Sequence, residues 1–210
     1  NNSNSIIEGY WYNNKQRDYC IEKFFDGSIQ FGEYEQGVKN GVGIFMLCDG
    51  SIYEGEFKNN SFNGYGIYYF KYGRIYFGEW EDNQKHGSGT MISESKIFAG
   101  NFNRDLKEGL GLTYWGNEDK VFFGFWKNGK KEGFGKYIHG QKVKFGLWKD
   151  DNKYYWFNNK TEAFDYLENN KFHKYIKFFN YDTNDLISNF NLNRYGDIAN
   201  RVNIPPIVIS

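Results

Sequence analysis

Glycine recurs in this chain at a fixed interval. Gly9, Gly32, Gly55, Gly78, Gly100, Gly124 and Gly146 are separated by 23, 23, 23, 22, 24 and 22 residues. Two positions after each stands an aromatic residue: Trp11, Tyr34, Phe57, Trp80, Phe102, Trp126 or Trp148. A second column, Gly-x-Gly, follows nine residues after the first in five of the units: Gly41/Gly43, Gly64/Gly66, Gly87/Gly89, Gly109/Gly111 and Gly133/Gly135. A short unit repeated in register cannot bury its apolar face alone, so the copies must stack on one another.

Each copy reads as a β-hairpin with a connecting turn. Polar segments such as "KNNSFN" and "EDNQKH" separate the two glycine columns, strand-like runs such as "IYYF" and "LTYW" follow, and "CDGS" or "KYGR" closes the unit. Side chains alternate faces along a strand, so Tyr53, Gly55 and Phe57 share a face. The glycine then leaves a socket that a ring from an adjacent strand can fill. An aromatic side chain buries on the order of 150–250 Å², which outweighs the roughly 0.5–1 kcal/mol that a glycine costs in a strand. Gly32, Gly55, Gly78, Gly100, Gly124 and Gly146 are therefore structural glycines. The predicted fold is all-β: residues 6–149 form an elongated, twisted antiparallel sheet of stacked hairpins, an open solenoid of about six to seven units. The terminal units read as caps, since Asp18 and Cys20 replace Gly-x-Gly in the first, and Tyr155 and Phe157 replace it in the last.

Bulk composition narrows the function classes. Aromatic residues make up 21% of the 210-residue chain, enough apolar area to exclude general disorder. Net charge is zero, which gives no support to nucleic-acid binding. No run approaches the roughly 18 apolar residues of a membrane span. Two cysteines, Cys20 and Cys48, make no disulfide framework and fit a reducing, intracellular compartment. The opening "NNSNS" has no features of a signal peptide, and the missing initiator Met suggests a piece of a longer chain.

The units resemble the MORN (membrane occupation and recognition nexus) repeat family. "YEGEFKNNSFNGYG", "YFGEWEDNQKHGSG" and "FFGFWKNGKKEGFG" carry its pattern, and "FGEYEQGVKNGVG" and "FAGNFNRDLKEGLG" are looser copies. The resemblance implies a β-sheet rod or groove that binds partners or self-associates. Such proteins work in cytoskeletal, axonemal or membrane-associated assemblies, or as regulatory modules of lipid kinases and lysine methyltransferases. The Asn-, Lys- and Tyr-rich composition suggests a protist. Gln30 and Lys144 replace the family's first Tyr, and the turn "SESK" lacks its glycine, so local irregularity is expected there.

After Trp148 glycine nearly vanishes, and residues 150–210 read as a capping or tail segment. The spacing of Phe164, Leu167, Phe172, Tyr175, Ile176 and Phe179 predicts one helix over 161–179 with Thr161 as N-cap. It is expected to cover the final hairpin and hide an edge strand, or else to bind another chain. A second helix is expected over 183–191 and an extended end at "VNIPPIVIS".

No constellation for catalysis, metal or cofactor emerges. His86, His139 and His173 lie far apart, and "YDTNDLI" lacks most ligand positions of a calcium loop. Gly-x-Gly occurs without the strand–helix context of a phosphate loop. Glu54/Glu56 and Glu79/Glu81 should face solvent, opposite the aromatics. The candidate site is an aromatic-lined groove built from Tyr34, Phe57, Trp80, Phe102, Trp126 and Trp148, at least half of which should also pack the array. Its expected occupant is a partner helix, a peptide or part of the chain itself. Homodimerisation through an open edge is possible on the same logic. Direct lipid contact has little support, because the basic residues are dispersed.

Overall fold

The computed structural model describes residues 5–182, which form a single antiparallel sheet of 14 strands and two short helices. The hairpins are β1 (Ser5–Tyr12) with β2 (Lys15–Phe24), β3 (Ile29–Glu35) with β4 (Val38–Met46), β5 (Ile52–Lys58) with β6 (Ser61–Tyr69), β7 (Ile75–Glu81) with β8 (Gln84–Ser93), β9 (Lys96–Asn103) with β10 (Leu106–Trp115), β11 (Lys120–Lys127) with β12 (Lys130–His139), and β13 (Lys142–Lys149) with β14 (Asn152–Trp156). Spatial order follows chain order throughout. At about 4.8 Å per strand the sheet extends roughly 60 Å. It runs on past residue 149, so the boundary expected at 149/150 falls in the turn of the last hairpin.

The hairpin turns are set by residues that tolerate a left-handed backbone. Asn59-Asn60, Asp82-Asn83 and Arg104-Asp105 all carry positive φ, as the two central residues of a primed turn require. The second turn residue also ties its unit to the one before. Asn60 Oδ1 accepts the Lys39 amide at 2.8 Å while the Asn60 amide donates to Lys39 O at 3.0 Å. Asn83 does the same with Phe62, Asp105 with Lys85 and Asp151 with Lys131. In the closing turns, Ser28 Oγ accepts the Cys48 amide and Ser51 Oγ the Lys71 amide. At "SESK" the sheet continues through a shorter turn, with Ser93 paired directly to Lys96.

One glycine line crosses the sheet. Gly32, Gly43, Gly55, Gly66, Gly78 and Gly89 are successive Cα partners, and the line continues through Gly100, Gly111, Gly124 and Gly135 to Gly146. A ring lies over each later rung. A Cβ on Gly66 would sit 2.5 Å from the Tyr53 ring, and one on Gly89 2.4 Å from Tyr76 Oη. Phe98 covers Gly111, and Phe122 covers Gly135. Tyr53 Oη donates to Glu56 O and Tyr76 Oη to Glu79 O, which holds each ring flat on the backbone.

The rings interlock edge to face. The series Phe57, Tyr53, Trp80, Tyr76, Phe102, Phe98, Trp126, Phe122, Trp148, Trp156 is continuous, with centroids between 4.9 and 5.7 Å and interplanar angles from 73 to 90°. Each such pair adds about 0.5–1.5 kcal/mol beyond the area it buries. Stability therefore propagates from unit to unit along this ring face.

The other Gly-x-Gly residue serves a bulge. Gly64 and Gly87 have φ of +60° and +55° where one residue of one strand faces three of the next. Glu56 Oε1 accepts the Tyr65 amide and Glu79 Oε1 the Ser88 amide, each at 2.9 Å. These two carboxylates thus satisfy bulge amides, a role beyond the solvated one expected from sequence. In the first unit Asp18 adopts φ +56°, and buried Cys20 occupies the glycine line. In the last, a one-residue shift puts Trp156 opposite Gly146 in place of Phe157.

The expected single helix over 161–179 is two. α1 (Lys160–Glu168) and α2 (Ile176–Asn180) are separated by a 3-10 turn at His173–Tyr175. Asn169 Nδ2 donates to Asp165 O and Asn170 Nδ2 to Tyr166 O, so side-chain amides take up the carbonyls that would continue the helix. The N-cap is Asn159, not Thr161: its Oδ1 accepts the Glu162 amide, and the Glu162 carboxylate reaches back to the Asn158 amide. The helices and the segment joining them bury Ala163, Leu167, Phe172 and Phe179 against Phe123, Phe134, Phe145 and Leu147, on the sheet face opposite the rings. They cover this broad face and leave Asn152–Tyr155 of the edge strand exposed. The helix expected at 183–191 and the extended end at 202–210 lie outside the described residues.

Gly66→Ala is expected to lower the urea midpoint of unfolding, by an overpacking cost of about 1–3 kcal/mol. Gln30 is fully buried at the position where later units place a ring over the glycine line, and its amide has no hydrogen-bond partner among the described residues. Gln30→Phe should therefore raise the midpoint, by about 1–3 kcal/mol for removing the unpaired amide.

Candidate functional site

All six aromatics expected to line a groove lie on the ring face, and all are buried, with exposures of 4–6%. Phe57, Trp80, Phe102, Trp126 and Trp148 belong to the interlocked ring series. Tyr34 is held separately, its Oη donating to Glu22 at 2.9 Å. The faces and edges of the five in the series are spent on neighbouring rings, and all six buried side chains form a floor. The accessible layer above it is a second set of half-buried side chains: Phe45, Phe62, Tyr68, Phe70, Met91, Trp115, Tyr137 and Trp156.

Lysines lie across the rings in five of the seven units. Lys39 Nζ stands 4.7 Å from the Phe24 centroid, and Lys85 Nζ 5.8 Å from that of Tyr76. Lys107 Nζ is 4.2 Å from Phe98 and 4.4 Å from Trp126. Lys131 Nζ is 5.1 Å from Phe122, and Lys153 Nζ 5.3 Å from Trp156. Ring quadrupoles hold an ammonium in this geometry without requiring a carboxylate. The sequence carried a signal for this. Each lysine stands five residues after the second aromatic of its unit, as in Tyr34/Lys39, Trp80/Lys85, Phe102/Lys107, Trp126/Lys131 and Trp148/Lys153. Phe62 takes the lysine's place in the third unit and stacks on Tyr53 at 3.8 Å.

Charge is unevenly compensated along the row. Lys39 pairs with Glu22 at 3.1 Å and Lys85 with Asp105 at 2.5 Å. Glu22 stays below the usual carboxylate range: burial pushes it up, but hydrogen bonds from Ser5 and Tyr34 and the Lys39 ammonium outweigh that. Lys96, Lys107 and Lys131 make no ion pair within 4.0 Å among the described residues. Burial, then repulsion from Lys96 and Lys131, pushes the Lys107 ammonium down to about 8. Burial likewise lowers Lys131, with Lys96 adding repulsion against the attraction of Asp151. This end of the ring face is a partly desolvated cationic surface with an aromatic floor.

Among the described residues no group of three or more His, Cys, Asp or Glu side chains could hold a metal ion. No described helix is long and apolar enough to cross a membrane.

Stacked hairpins joined through a glycine-and-ring register make a repeat scaffold. The chain belongs to the MORN repeat family, whose model matches residues 31–52, 53–71, 76–96, 98–120 and 122–140. The matched stretches omit the first and last hairpins, the units in which Gly-x-Gly is replaced. Among solved structures the chain is similar to the wild-type TCP10 domain of Danio rerio CPAP, 12% identical, covering 62% of this chain and 73% of that one, with a TM-score of 0.21. A point mutant of the same domain is 12% identical, covering 68% and 90%, with a TM-score of 0.17. At those TM-scores the likeness carries no argument about this chain. No curated protein matches it.

The folded-state pKa of Lys107 lies below its ordinary 10.5, so between about 8 and 10.5 the unfolded chain binds more protons and stability rises with pH. Lys107→Met should be the more stable protein at neutral pH, and its advantage in denaturation midpoint should shrink as pH rises from 8 towards 10.5.

Proposed function

We propose that this chain is a non-enzymatic scaffold that holds an extended, acidic peptide segment of a partner protein along the ring face. The repeat family supports the scaffold reading. The ring-and-lysine row supports the binding mode: from Lys85 on β8 to Lys153 on β14 the lysine spacing follows the unit, so this stretch of the row offers a cation at every second strand, about 10 Å apart. An extended peptide with carboxylates near that spacing and apolar residues between them could pair with the ammonium groups and rest on Tyr68, Phe70, Met91 and Trp115. The buried six, Tyr34 to Trp148, serve this site by keeping the floor rigid. A cytoskeletal, axonemal or membrane-associated assembly is the setting that the family resemblance favours.

The test is fluorescence anisotropy with a labelled peptide of alternating Glu and Tyr, about a dozen residues long. Each lysine removed is expected to weaken binding by roughly three- to tenfold, as interfacial charges of about 0.6–1.4 kcal/mol would. Lys107→Gln with Lys131→Gln should therefore lose at least tenfold while circular dichroism is unchanged. Trp126→Ala should lower stability by about 3–5 kcal/mol yet leave peptide affinity intact while the protein is folded. Absence of saturable binding, or binding indifferent to both lysines, would refute the proposal.

A further inference from the structure

The face opposite the rings is apolar at both ends of the sheet, but among the described residues only one end is covered. Over β11–β13 it receives α1 and α2, with Ala163 and Leu167 of one helix set against the strands. Over β1–β6 the same face carries Tyr19, Phe31, Val42, Ile44 and Tyr65, which are 47, 44, 50, 38 and 65% exposed. The strand registers put these side chains on one surface, since the buried positions Cys20, Gln30, Gly32 and Tyr34 alternate with them. Tyr19 and Phe31 stack at 5.7 Å and 16°, so the surface is ordered. A monomer rarely exposes so continuous an apolar strip without a use for it.

Charge says what kind of partner suits it. On this face between β1 and β7 stand Glu8, Glu33, Glu54, Glu56 and Glu79 and, at hairpin ends, Glu35 and Glu81, against Lys23 and, at hairpin ends, Lys15 and Lys58. Lys23 is already paired with Glu8 at 2.9 Å. The ring face has the opposite balance. A second copy docking by this same surface would bring glutamates against glutamates, which disfavours a face-to-face dimer.

We propose that the open end of this face is a docking surface for an amphipathic helix of a partner protein, apolar on one side and flanked by Lys or Arg. The helix would lie across β1–β7 as α1 lies on β13, with apolar residues three and four apart set among Phe31, Val42, Ile44 and Tyr65, and its cations on the glutamates. Six strand steps span about 29 Å, the length of a helix of roughly 19 residues. The proposal does not depend on the ring-face reading, because the two surfaces share no side chain and favour partners of opposite charge.

The full chain is titrated with two labelled helical peptides of about 18 residues, one built from Leu and Lys and the other from Leu and Glu. The Leu/Lys helix should bind saturably, at least tenfold more tightly than the Leu/Glu helix, and more weakly as salt rises. Phe31→Ser with Val42→Ser, exposed positions outside the ring series, should lower its affinity at least tenfold with the melting temperature nearly unchanged. Equal binding of both helices, no saturable binding, or affinity indifferent to the two substitutions would overturn the proposal. So would binding that requires removal of residues 183–210, which would assign the surface to the chain's own end. A dimer in light scattering that the double substitution dissociates would assign it to a second copy, and would overturn it equally.

Discussion

A ring can lie flat on a β-sheet only where the backbone beneath it carries no side chain. That requirement organises the whole molecule. Tyr53, Tyr76, Phe98 and Phe122 each lean across a glycine pair, and their edges then meet Phe57, Trp80, Phe102, Trp126 and Trp148 at close to right angles. Covering the glycine line and linking the units are one interaction. Over most of its length the sheet has no second layer to supply a core, so the ring series serves as the core spread along the array, and only over β11–β13 do α1 and α2 add a second cluster on the opposite face.

The same arrangement gives the two faces different characters. On the ring face, apolar area is consumed in ring-to-ring packing, and the lysines that lie over it make the remaining surface cationic and partly dry. On the other face, Glu56 and Glu79 are fixed by the amides of bulges that the positive-φ glycines create, so acidic groups are placed by backbone geometry. The array is thereby polarised across its thickness while its net charge is zero. It is also polarised along its length, since α1 and α2 close the acidic face at one end only.

Much of this was legible in the residues. The fixed glycine interval with an aromatic two positions on gave the family, the hairpin unit and the antiparallel order. That the aromatics expected to line a groove share one face follows from strand alternation, but their burial was not legible, because exposure depends on what neighbouring units lay over them. The lysine five residues after the second aromatic is present in five of the seven units, but spacing alone does not show that its ammonium lies over a ring. The helix was read as continuous over 161–179 because apolar spacing does not register the competition of Asn169 and Asn170 side chains for backbone carbonyls.

By itself the sequence determined the repeat, the unit and the order of strands, because these follow from local periodicity and from turn residues such as Asn59-Asn60 that accept only one chain reversal. Tertiary structure alone decided which rings are floor and which are surface, which carboxylates serve the backbone, and where the terminal helices lie. Those outcomes depend on contacts between units some twenty residues apart, such as Asn60 on Lys39 or Trp80 on Tyr53. No single unit contains both partners of such a contact.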